Sequence, residues 1–195
     1  MAKILKELSE HIPFTLLATA IGIILAIAGF LTGDFFLQTT ETIFEIMHPA
    51  HVLFSAFVTS ALFYKYRKNF LLAILIGITG SIIIGTLSDV ILPYLEGNLL
   101  NLHTHLHLPI IEEPLIILGA ALLGSIIGIG LKSTKTPHLI HVLLSVFASL
   151  FYILAYSPSF NLIWLIAVFF IVFIAVLVPC CLSDIIYPLL FIRKK

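Results

Sequence analysis

The sequence predicts an all-α polytopic membrane protein: six transmembrane helices as two inverted three-helix repeats, with N and C termini cytoplasmic. Three observations predict it. The chain has 195 residues, of which 61% are hydrophobic and 10% charged, whereas soluble domains carry about 25% charged residues. Its apolar residues fall in six runs, and about 20 apolar residues are what a helix needs to cross a bilayer. Its rare polar residues recur in the same order in the two halves.

The runs are 13–33, 42–64, 70–93, 114–131, 137–156 and 161–190. The last is long enough to tilt or to run out along the interface. Lys3 and Lys6 precede the first run. That run is longer than a signal-peptide core, and Glu7 and Glu10 sit in its leader, so it reads as a spanning helix. Lys65, Arg67 and Lys68 separate the second and third runs, Lys132 and Lys135 the fourth and fifth, and Arg193, Lys194 and Lys195 close the chain. All ten basic residues thus fall on one side of a six-helix chain, and that side is cytoplasmic. Little chain remains for a soluble domain. The expected location is the cell membrane as a multi-pass protein, with the lipid bilayer as partner and no nucleic acid.

Two stretches carry the repeat. HPAHVLFSAF (48–57) and HLIHVLLSVF (138–147) share the form HxxHVLxSxF. LSDVILP (87–93) and LSDIIYP (182–188) share LSD[VI]IxP. The opening helices of the two halves follow Pro13 and Pro114. The expected units are 1–98 and 114–195, joined by an outer His-rich loop at 99–113. Three helices per unit turn the second copy upside down, as in many secondary transporters.

Inversion predicts two polar clusters. On the outer side His48, His51, Asp89, Glu112 and Glu113 converge, with Glu45 extending the ladder along its helix. On the inner side His138, His141 and Asp184 meet Glu10 and His11. Residues three apart share a helix face, so each HxxH can offer two imidazoles to one ion. An aspartate from the next helix adds a carboxylate, and this donor set suits a divalent metal such as zinc. Ser55 and Ser145 lie one turn further along the same faces, where they can hold a ring nitrogen or a water. The bland alternative is a set of structural histidines bonded across helices. Ionisable groups in spanning segments are costly and usually mark function, and here they recur as a set.

LHTHLHLPIIEEP (102–114) alternates His103, His105 and His107. Alternate residues share one face of an extended chain, and His-rich tracts lean toward metal. This loop is expected to capture a cation and pass it to His48 and His51, unless it is a polar loop resting on the bundle. The outer side also holds Asp34, Glu41, Glu45, Glu96, Glu112 and Glu113 and no basic residue. A surface of that sign concentrates cations. With no lysine or arginine inside a span, anionic cargo lacks its usual partner. Gly124 and Gly128 form a GxxxG face that allows close packing within the chain or between chains of a homo-oligomer. Cys180 and Cys181 give no disulfide framework. They read as small apolar residues or as soft ligands near Asp184.

These features favour a divalent-cation transporter. A non-catalytic metal-binding subunit of a membrane complex is one alternative, and a membrane-embedded metal-dependent hydrolase acting on a lipid or membrane-borne substrate is the other. In the hydrolase, Glu112 or Glu113 would serve as general base. HVLFSAF, GTLSDVILP and HTHLH, over about 48–107, resemble the LexA-regulated, membrane-bound metal-dependent hydrolase family. That family has a His early in one helix, a Pro-Asp-x-Asp motif ending the next, and a His-Arg-x-x-Thr-His motif after it. Here the aspartate motif reads Ser88-Asp89-Val90-Ile91, with the second Asp absent, and the histidine motif shortens to His103-Thr104-His105. The resemblance implies metal at His51, Asp89 and His103 or His105.

Overall fold

The computed structural model describes residues 2–31, 33–131, 135–158, 161–181 and 186–191. Every regular element among them is helical. The first half and the start of the second hold α1 (Ala2–Phe30), α2 (Asp34–Tyr66), α3 (Phe70–Thr86) and α6 (Pro114–Leu131). α3 continues through a widened turn, Leu87–Ile91, into α4 (Leu92–Leu99). A short α5 (Pro109–Glu112) precedes α6. α7 (Lys135–Tyr156), α8 (Leu165–Cys181) and a short α9 (Tyr187–Leu190) complete the chain.

The stretches 12–30, 38–66, 70–99 and 114–131 are long and apolar enough to cross a membrane. Among the residues whose side chains are described, the apolar parts of α7 and α8, Ile140–Tyr156 and Leu165–Pro179, are shorter. Leu115, Leu71 and Ile166 are among many large apolar side chains that face outward, as lipid contact requires. α2 begins at Asp34, well before the expected start at 42. Its early turns carry Gln38, Thr39, Thr40 and Glu41, too polar for an apolar run to include. Gly33, at φ 73, makes the turn from α1.

α2 is the hub, packing on α3, α6 and α7. Glycines set its distances to α3 and α6. A Cβ on Gly124 would strike the Leu53 carbonyl, and one on Gly128 the Phe57 carbonyl. The GxxxG face is therefore used within the chain, holding α6 parallel to α2. Ser60 Oγ donates to Ser125 O across the same contact at 3.0 Å. On the other flank Gly85 lies against Val52 and Gly77 against Ser60, so α3 runs antiparallel to α2. α7 is also antiparallel. Phe44 meets Tyr152 and Tyr156, while further along α2 His51 meets the earlier residue His141. α1 rests on α7, with Gly22 close to Leu150 and Val146.

The neighbours of the two halves match under exchange. α2 packs on α3 and α6 as α7 packs on α8 and α1; α3 touches α6 as α8 touches α1. α4, after the first LSD motif, packs on α7 and α8, and α9, after the second, packs on α2 and α3.

Candidate metal centre

The centre forms where the widened turn meets α2 and α7. In Leu87–Ile91 the Leu92 N–H reaches back to Leu87 O, one residue further than in an α-helix. Such turns are rare and often sit at functional sites. Pro93 explains part of the geometry. At this wider spacing the residue facing Ser88 O is Pro93, which has no N–H to give. Ser149 Oγ on α7 approaches Ser88 O at 3.1 Å, its one proton shared with Ser145 O at 2.8 Å. The turn is thereby fastened to the other half of the chain, and it presents Asp89 inward.

Asp89 is fully buried and accepts four hydrogen bonds. His48 Nδ1 and His51 Nδ1 lie 2.8 and 2.6 Å from Oδ2. Ser88 Oγ and Ser145 Oγ donate to Oδ1 at 2.6 and 2.9 Å. A carboxylate has about four lone-pair sites, so this one is saturated. That saturation is what makes a buried charge tolerable. His48 and His51 are 0 and 1% exposed. They sit on one face of α2, separated by Pro49, close to the middle of that 33-residue helix.

The tautomer is set by the bonding. A neutral imidazole carries one N–H. With Nδ1–H directed at Asp89, Nε2 of both His48 and His51 is a bare lone pair, and both nitrogens are buried with no hydrogen-bond partner. Carboxylate-bound imidazoles with a free Nε2 are the usual form of histidine metal ligands. His48, His51 and Asp89 offer ligand atoms that all lie within 4.8 Å of one another. The donor set fits a divalent metal. The imidazoles would hold it through Nε2, while Asp89, on their Nδ1 side, would fix their orientation.

The second half contributes directly. Ser145 reaches Asp89, and the His141 ring stacks on His51 with centroids 4.8 Å apart and planes 8° apart. His141, expected at a separate inner cluster, thus lies against the first half's histidines. The side chains of Glu10, His11 and His138, and all of Asp184, lie outside the described residues.

The outer residues are distributed differently. Leu102 and Thr104 are buried, and His103 and His105, which alternate with them, are exposed. The alternation is real, but those two imidazoles face out, with His103 at φ 53. His107 turns in. Its ring stacks on Tyr156 at 4.8 Å, and its Nδ1 pairs with Glu112 Oε2 at 2.9 Å. The loop is tied to the end of α7 by His105 N–H to Tyr156 O, Tyr152 OH to His105 O, and the Thr104–Ser157 hydroxyl pair. Glu45 and Glu113 are half-buried and, like Glu112, lie outside the triad. Ser88 and Ser149 are the residues that spacing alone did not single out. Ser149 lies one helical turn beyond Ser145, on the face already in use, which was a usable signal.

Comparison with family models, with curated proteins and with solved structures found no match. The geometry therefore stands by itself: helices able to span a membrane enclose a buried His-His-Asp group that can hold a metal ion.

Proposed function

We propose that this chain is a six-span divalent-cation transporter of the cell membrane, with zinc as the first substrate to test. It is built as two inverted three-helix repeats with both termini cytoplasmic, and the cation is carried at the triad. One observation carries the reading. Side chains of the second half converge on the buried triad of the first: Ser145 donates to Asp89, and the His141 ring stacks on His51. Inverted-repeat transporters hold their substrate near the midplane, at the interface of the repeats. His51 lies close to the middle of α2 and Ser145 close to the middle of α7.

Three further features support it. The packing pairs exchange between halves as a two-fold relation requires. The basic residues occupy alternate loops and the two ends of the chain, and so lie on one side. The outer side is acidic and draws cations. The resemblance to metal-dependent hydrolases supports a second reading, in which the metal activates water. That chemistry needs a metal open to water and substrate. The full burial of the triad and the outward-facing His103 and His105 favour transport.

The test is flux. Purified protein in liposomes holding a zinc-sensitive dye should admit Zn²⁺, and the double variant His48→Ala/His51→Ala should not. Zn²⁺ binding without flux, with hydrolysis of an ester substrate, would replace the transporter by the hydrolase. Binding with neither would leave a metal-binding subunit.

A further inference from the structure

The triad is buried, and one aromatic side chain packs on it from the N-terminal side of α2. Phe44 lies one turn before His48 on the same face of α2. Its ring is fully buried and stacks on His48, with centroids 5.6 Å apart and planes 15° apart. It also meets His107 at 5.8 Å, Tyr152 at 5.3 Å and Tyr156 at 5.7 Å, each edge to face. Beyond it the surroundings turn polar. His107 pairs with Glu112, exposed Glu41 lies one turn before Phe44 on α2, and half-buried Glu45 is its neighbour in the chain. The Tyr156 hydroxyl is buried without a hydrogen-bond partner. Along α2 the order is exposed Glu41, the Phe44 ring, then the buried imidazole of His48, with the His107–Glu112 pair packed against the ring.

We propose that Phe44 controls access between an outer cation-gathering vestibule (Glu41, Glu45, His107 and Glu112) and the triad. A divalent cation held in the vestibule reaches His48 and His51 only when the ring swings aside. Two physical points support a mobile ring. A phenyl group makes no hydrogen bond, so only packing holds it. Pro49 removes the N–H that would bond the Glu45 carbonyl, which loosens α2 beside Phe44. The inference deepens the reading of the triad as a cation site and rests on it.

The test uses the full chain in lipid nanodiscs, as wild type and as Phe44→Ala, Phe44→Leu and Phe44→Trp. The first readout needs no metal: the rate at which diethyl pyrocarbonate modifies His48, followed by peptide mass spectrometry, with exposed His103 and His105 as internal controls. The second is the rate of Co²⁺ loading, followed by its visible absorption. Phe44→Ala should raise both rates at least about ten-fold, the factor given by about 1.4 kcal/mol of barrier, with Co²⁺ stoichiometry unchanged. Phe44→Leu should lie between, and Phe44→Trp should slow both. If Phe44→Ala does not fold, Phe44→Leu carries the comparison. Protection of His48 that is equal in wild type and the smaller variants overturns the proposal, as does an unchanged loading rate where Co²⁺ binds. If His48 becomes reactive while no variant binds Co²⁺, Phe44 still controls access and the metal reading falls instead.

Discussion

Replacing Asp89 by asparagine keeps the shape of the side chain and removes the charge on which four donors converge. The arrangement of those donors dictates the effect. The amide has one oxygen and one NH2 where the carboxylate had two acceptors. If the oxygen faces Ser88 and Ser145, the NH2 faces two histidine nitrogens. A histidine can then accept only by moving its proton to Nε2, which removes the lone pair a metal needs. If the amide is reversed, the hydroxyls rotate to accept and both histidines keep their tautomer, but no negative charge remains. Hydrogen bonds to a charged group are worth about 1.5–3 kcal/mol and neutral ones about 0.5–1.5, so each of the four weakens by about 1 kcal/mol. Relief from burying a charge offsets much of that loss, so folding stability should change by no more than about 2 kcal/mol. Metal affinity has no such compensation. Loss of an orienting carboxylate typically costs 10–100-fold, and the lost charge acts in the same direction, so Zn²⁺ affinity should fall about 100-fold or more. Chelator competition with purified protein measures it, and a thermal melt checks the fold. A folded Asp89→Asn protein that binds Zn²⁺ within about three-fold of wild type, under 1 kcal/mol, would refute the assignment of Asp89.

The remaining predictions concern the supports of the site. Ser149→Ala leaves the Ser88 carbonyl buried without a donor and should cost about 1–3 kcal/mol, read as a lower melting temperature; an unchanged melt would mean that the turn is not held from α7. His103→Ala/His105→Ala should leave equilibrium Zn²⁺ affinity unaltered because both side chains face out. A loss of affinity there, measured by the same chelator competition, would bring the loop into the site and strengthen the hydrolase reading.

Much of the centre was legible in the sequence. His48 and His51 share a helix face by spacing, and LSD placed an aspartate at the end of the next helix, so their convergence needed only antiparallel packing. Depth was not legible. It depends on where α2 starts, and its first turns are polar enough to pass for loop. With α2 beginning at Asp34, His51 drops toward mid-helix and meets His141, so residues assigned to opposite sides of the membrane lie against each other. The alternation in 102–107 showed which residues share a face, but period alone does not say which face turns inward. Leu102 and Thr104 took the interior because one is apolar and the other finds Ser157. The role of Phe44 was invisible for a related reason. One phenylalanine among sixteen is distinguished only by the four rings around it.

The Ser145–Asp89 bond has a consequence beyond holding a side chain. It spans the two halves, so the strength of the site and the relative placement of the halves cannot vary independently. Any rocking of α7 away from the widened turn withdraws a donor from the carboxylate that sets both histidines. By reciprocity, an ion that binds better with the donor in place must hold the halves together, by the same free energy. Affinity measured in solution is then also a measure of shape, and Ser145→Ala would loosen the coupling while leaving the triad itself intact.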